Sequence, residues 1–124
     1  MAGVLVSACL AFPAVAQVHS ADTEQDYEID LSELLRVIQF FNSAGYHCEA
    51  GTEDGYAPGS GDTSCAPHDS DYNPQDWAVN LSELLRLIQF FNSAGYHTEC
   101  ASEDTYGAGD GPHESCEGEG EGEG

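Results

Sequence analysis

Lysine is absent from this 124-residue chain, and Arg36 and Arg86 are its only strong cations against 23 acidic residues. At a formal charge of −21 the surface repels phosphate backbones and anionic lipid, so neither nucleic acid nor a membrane surface is expected as a partner. Apolar runs long enough to cross a bilayer are missing, and membrane insertion is not expected. Cys-x-x-Cys pairs are missing too, which removes the usual ligand spacing of a structural zinc site. Ser32 and Ser82 have no His-acid set at a motif spacing, so the chain is read as a non-enzyme. At this length a core alone is marginal. Self-repulsion among the acids opposes compaction unless cations shield them, although acidity also keeps an exported chain soluble.

What the chain does have is a duplication. Asp30-Leu-Ser-Glu-Leu-Leu-Arg-Val-Ile-Gln-Phe-Phe-Asn-Ser-Ala-Gly-Tyr-His47 returns fifty residues later, as Asn80 to His97, with two differences. An internal period defines the unit that folds. Leu31, Leu34, Leu35, Ile38 and Phe41 recur at helical spacing, and Val37 and Phe40 widen that face, predicting a helix from Leu31 to about Ala44 and its copy. The expected core is Leu34, Leu35, Ile38, Phe41 and their copies. Asp30 with Glu33, and Asn80 with Glu83, are spaced as capping boxes. Gly45 and Gly95 stand where a left-handed residue ends a helix. Glu33–Arg36 and Glu83–Arg86 are i,i+3 pairs, worth roughly 0.2–0.5 kcal/mol. The segment from Cys48 to Asp71 is turn-rich and aperiodic, and reads as a long irregular loop.

Residues 1–16 read as a signal peptide, with an apolar run and Ala14-Val15-Ala16 before the cut. A rival reading makes Cys9 a lipidated anchor. Either implies bacterial export to the cell surface or the medium. Removing Cys9 leaves Cys48, Cys65, Cys100 and Cys116, and the repeat favours Cys48–Cys65 and Cys100–Cys116. Each bridge closes a loop of about 15 residues, for which chain entropy gives roughly 3 kcal/mol. Residues 17–116 form the duplicated domain, with repeats at about 22–65 and 71–116. Residues 117–124 alternate Glu and Gly and read as a disordered linker.

The acids before each helix carry the chemistry. Asp22, Glu24, Asp26, Asp30 and Glu33 occupy positions 1, 3, 5, 9 and 12 of a loop entering a helix, with the Glu28 carbonyl at position 7. A hard cation needs six to eight oxygens, and this spacing supplies them for calcium. Ile29 at position 8 is expected to pair with Val79 as a short two-stranded contact. The second loop offers Asp71, Asn73, Asp76, the Ala78 carbonyl, Asn80 and Glu83, but Pro74-Gln75 lengthens it by one residue. Two calcium sites are expected, the second less regular. Tyr27 and Trp77 stand where glycine is usual at position 6, so weak sites are expected, at about 10⁻⁴ to 10⁻³ M. The competing reading is that these acids only cap helices and solvate turns. His47 and His97, just past the helices, suit the dipole better than a metal.

Paired acidic loops, each leading into Leu-Ser-Glu-Leu-Leu, resemble the tandem type I dockerin repeat, a duplicated half EF-hand. The resemblance covers about 22–45 and 71–95, and the stapled insertions depart from it. It implies two calcium-loop–helix units packed around a pseudo-twofold axis, and with the disulfide-stapled irregular loops read from the cysteines the expected fold is mainly α. It also implies docking of a protein partner on the helical face, at Leu31-Ser32, Leu81-Ser82 and residues beyond. The expected function is therefore a non-catalytic, calcium-stabilised attachment module of an exported protein. The alternative is a structural spacer, to be told apart by whether an apolar helical patch stays uncovered.

Overall fold

A computed structural model describes residues 17–116. The segments expected to be a signal peptide, with Cys9, and a Glu/Gly linker lie outside the described residues. In chain order the elements are α1 (Leu31–Asn42), β1 (Tyr46–Cys48), β2 (Tyr56–Pro58), α2 (Leu81–Asn92), β3 (Tyr96–Thr98) and β4 (Tyr106–Ala108). Strands β1 and β2 form one antiparallel sheet, and β3 and β4 a second.

The mainly α expectation is therefore wrong. The domain is α+β: two twelve-residue helices, each followed by a two-stranded hairpin. Three-residue strands are too short for a period of two to show in a sequence. Tyr46 pairs with Pro58, His47 with Ala57 and Cys48 with Tyr56. The connecting turn is closed by Glu49 N–H donating to Gly55 O (2.8 Å) and Thr52 N–H to Glu49 O (3.3 Å).

Both helix starts carry reciprocal capping boxes. Glu33 N–H donates to Asp30 Oδ1 and Asp30 N–H to Glu33 Oε1, each at 2.9 Å. Asn80 and Glu83 repeat the pattern at the same distances. The helix ends two residues short of Ala44. Gly45 N–H reaches back to Phe40 O (3.3 Å), and the left-handed residue is Ala44 (φ +58°), one before the glycine. Gly45 is needed for another reason: a Cβ there would sit 3.1 Å from Trp77 O, in the other repeat.

The two helices pack against each other, and Leu34, Val37, Phe40 and their copies Leu84, Leu87, Phe90 are all buried in one core. Ile29, Val79, Tyr46, Tyr56, Tyr96 and Tyr106 complete this core. The anticipated core face is thus rotated. Leu35 and Leu85 are about half exposed (49% and 50%), and Ile38 and Phe41 are only partly buried. Phe40 lies at the centre because Tyr46 of the hairpin and His68 of the segment between the repeats pack on it, as Tyr96 and His19 pack on Phe90. Ile29 and Val79 are buried but form no strand. The repeats are joined instead by Tyr96 N–H donating to Tyr27 O (3.1 Å) and Tyr46 N–H to Trp77 O (3.2 Å).

The arginines also go elsewhere than their helix neighbours Glu33 and Glu83. Arg36 Nε meets Asp54 Oδ2 at 2.9 Å and Arg86 Nε meets Asp104 Oδ2 at 3.0 Å, each reaching its own hairpin turn. Burial alone would raise the Asp54 pKa, but hydrogen bonds from Arg36 and from Tyr56 N–H outweigh it and hold the carboxyl below its usual range. Disulfides join Cys48 to Cys65 and Cys100 to Cys116. Gln17 ties the ends together: its N–H donates to His113 O, and its Oε1 accepts from Cys116 N–H, both at 2.9 Å.

Candidate metal centre in the first acidic loop

Asp22 opens the first loop and is almost fully buried (2% exposed). Its carboxylate accepts from Asp26 N–H (3.2 Å), Tyr27 N–H (2.8 Å) and the Tyr96 hydroxyl of the other repeat (2.7 Å). Bending the loop around one carboxylate sends Gln25 (φ +56°) and Tyr27 (φ +61°) into the left-handed region. A side chain there costs about 1–2 kcal/mol, and Trp77 (φ +62°) bears the same strain in the second loop.

Glu33 closes the loop from the helix side. Its Oε1 accepts from Asp30 N–H, and its Oε2 from Glu24 N–H (3.0 Å). Two triads share it: one oxygen each from Asp22, Asp26 and Glu33 lie within 4.8 Å of one another, as do oxygens from Glu24, Asp30 and Glu33. Calcium–oxygen bonds of about 2.3–2.6 Å place opposite ligands about that far apart, so either triad fits a dication. Burial pushes the pKa values of Asp22 and Glu33 up, while the charge of Asp30 raises that of the exposed Glu24. A bound dication would relieve all three. Glu28 points its side chain to solvent, and its N–H donates to Asp26 Oδ1 (3.2 Å).

The second loop keeps the frame but not the focus. Asp71 accepts from Asp76 N–H (3.0 Å), Trp77 N–H (2.9 Å) and the Tyr46 hydroxyl (2.7 Å). Glu83, fully buried, accepts from Asn80 N–H and Asn73 N–H (2.7 Å). Side-chain amide donors take up acceptors of this loop. Gln75 Nε2 donates to Asp71 Oδ2 (3.0 Å), and Asn80 Nδ2 donates to Asn73 O (3.0 Å). Asp76 is exposed and Ala78 half-buried. Among the described residues no acidic triad forms here. Of the two metal sites expected, the geometry assembles acids only at the first.

Sequence reasoning passes over His19 and reads His68 as a loop residue with no partner set, yet both are buried. His19 and His68 sit three residues before Asp22 and Asp71, in the spacing His-x-x-Asp that each repeat shows. Each uses its backbone N–H to donate to the tyrosine hydroxyl that also meets the loop aspartate: His19 to Tyr96 (2.9 Å), His68 to Tyr46 (3.0 Å). Their rings lie 6.0 Å apart, and both pKa values are depressed by burial, that of His68 to about 3. His47 instead bridges β1 to Gly59 O through Nδ1 (2.8 Å), and His97 does the same to Gly109 O.

No family model matches this chain, and neither a curated protein nor a solved structure matches it.

Proposed function

We propose that this chain is a non-catalytic binding module of an exported protein, stabilised by calcium in its first acidic loop. The observation that carries the reading is the pair of carboxylate triads meeting at Glu33, in a chain with two arginines. Both arginines are already held by Asp54 and Asp104. Glu49 and Glu99 meet His47 and His97, which leaves the acids of the first loop without a basic partner among the described residues, and a hard dication is the counter-charge that their oxygens suit. The resemblance to tandem dockerin repeats points the same way, with one regular site in place of two.

Two further observations bear on location and role. The disulfides are compatible with an extracellular setting, and no described helix is long and apolar enough to cross a membrane. Leu31, Leu35, Leu81 and Leu85 remain about half exposed on the two helices. Such uncovered apolar residues favour docking of a protein partner over a spacer role.

Calorimetric titration of the oxidised chain, with thermal melts in calcium and in EDTA, tests the metal. Calcium at about 100 times its Kd would add roughly 2.7 kcal/mol. Glu24→Gln, exposed and outside the capping box, should weaken binding while leaving the EDTA melt unchanged. Coincident melts in calcium and EDTA would remove the claim.

A further inference from the structure

The near-identical repeats differ beside the helix start. In the first, a cavity of about 310 Å³ runs from exposed Glu24 inward to buried His68. Carboxylates of Glu24, Asp30, Glu33 and Glu53 line it, while Ala21 and Val37 supply apolar wall. Asp54 and Arg36 also line it but neutralise each other. Four formal negative charges therefore face a space near the small end of the range for ligand sites, about 300–1,000 Å³.

At the inner end His68 is 1% exposed. Its Nδ1 accepts from Ser70 N–H (3.0 Å), so the neutral ring carries its proton on Nε2. That Nε2 is buried with no hydrogen-bond partner among the described residues. A buried donor left unpaired is costly, and an incoming acceptor would relieve it. The carboxylates nearer the opening ask for the opposite: a cationic donor.

The second repeat closes this route. Tyr72 follows Asp71 as Thr23 follows Asp22, and Asn73 replaces Glu24. The corresponding cleft is lined by Tyr72 and Asn73, and its lining does not reach His19.

We propose that the first cavity binds a small hydroxylated primary amine. Its ammonium lies among Glu24, Asp30, Glu33 and Glu53, and a hydroxyl oxygen accepts from His68 Nε2–H. The proposal goes beyond the calcium reading and does not depend on it, although Glu24, Asp30 and Glu33 serve both.

D-glucosamine is the probe, titrated at pH 7 into the oxidised, metal-free full chain in EDTA and followed by calorimetry and by the imidazole ¹⁵N signals. Saturable binding that moves the His68 signals is expected. N-acetylglucosamine, which keeps hydroxyls without the charge, and n-butylamine, which keeps the charge without hydroxyls, should each bind at least about tenfold more weakly. Thr23→Tyr copies the second repeat's own residue, which the fold already accommodates. It should abolish glucosamine binding while keeping the parent's melting temperature in EDTA. Absence of saturation, equal binding by n-butylamine, unmoved His68 signals or an unaffected Thr23→Tyr variant would each overturn the assignment. Because the titration runs in EDTA, a failed calcium experiment leaves it standing.

Discussion

The Tyr96 hydroxyl donates to Asp22 Oδ2 at 2.7 Å, linking the hairpin after the second helix to the first residue of the first acidic loop. Tyr46 does the same for Asp71, also at 2.7 Å. Each repeat thus completes the loop of the other. Tyr96→Phe would leave Asp22 its two loop N–H donors but strip the His19 N–H of its acceptor. A buried group left unpaired costs about 1–3 kcal/mol, so a loss of that size is expected in urea denaturation. Tyr46→Phe should cost the same. Since both loops depend on crossing bonds, far-ultraviolet dichroism and Trp77 fluorescence should report one coincident transition.

Packing at the helix pair gives a sharper contrast. Phe40 is fully buried and packs 5.4 Å from the Tyr46 ring, whereas Leu35 is half exposed. Phe40→Ala should lose about 3–5 kcal/mol. Leu35→Ala should stay within about 0.5 kcal/mol, as surface positions do. Equal losses at the two positions would place the core on the wrong face.

That contrast also marks where sequence reading stops. The helix starts were legible because a capping box is local: Asp30 and Glu33 satisfy each other within one turn. The disulfide pairs were legible because the duplication confines each bridge to its own unit. The buried face was not, since Leu31, Leu35 and Ile38 are as apolar as Leu34 and Val37. Only the position of the hairpins and of the segments that carry His19 and His68 decides which set is covered. The hairpins themselves escaped notice because three paired residues leave no periodic trace. In the loops, the sequence shows which residues carry oxygens but not where those oxygens point. Whether their oxygens converge depends on backbone path, and Pro74-Gln75 changes that path in the second copy, where Gln75 takes up Asp71.

The histidine pair sets a pH dependence whose sign can be worked out. Burial, and for His68 the neighbouring His19, hold both imidazoles neutral in the folded state. An unfolded histidine titrates near 6.5, so between that value and about 3 the unfolded chain binds the extra His68 proton. Stability is therefore fully present above about pH 6.5 and falls on acidification. At pH 5 His68 alone should account for roughly 2 kcal/mol. Asp22, Glu33 and Glu83 act oppositely, because burial raises their folded values. Their contribution is present below the unfolded carboxylate range and lost as pH rises through the folded values, so it offsets the histidine loss only at the acid end. Urea midpoints in EDTA should thus drop most steeply between pH 6.5 and 5, and His68→Gln should flatten that slope. A stability independent of pH across this window would contradict the burial of both rings.

Reduction probes the other support of this small domain. The bridges span 17 and 16 residues, loops for which chain entropy assigns about 3 kcal/mol each. Domains of this size have about 5–15 kcal/mol in total, so losing both bridges removes a large share. The first bridge also limits how far Ala66 and His68 can stray from the first hairpin, where Tyr56 of β2 donates to Ala66 O (2.8 Å) and Tyr46 of β1 accepts from His68 N–H. The second keeps Cys116 beside Gln17 and thereby holds residues 17–22 over the core. Cys48→Ser/Cys65→Ser and Cys100→Ser/Cys116→Ser should each lower the urea-derived stability by about 3 kcal/mol. The fully reduced, metal-free chain should be substantially unfolded by dichroism at neutral pH. Unchanged dichroism after complete reduction, verified by mass, would show that the aromatic core and crossing tyrosine bonds suffice without the bridges.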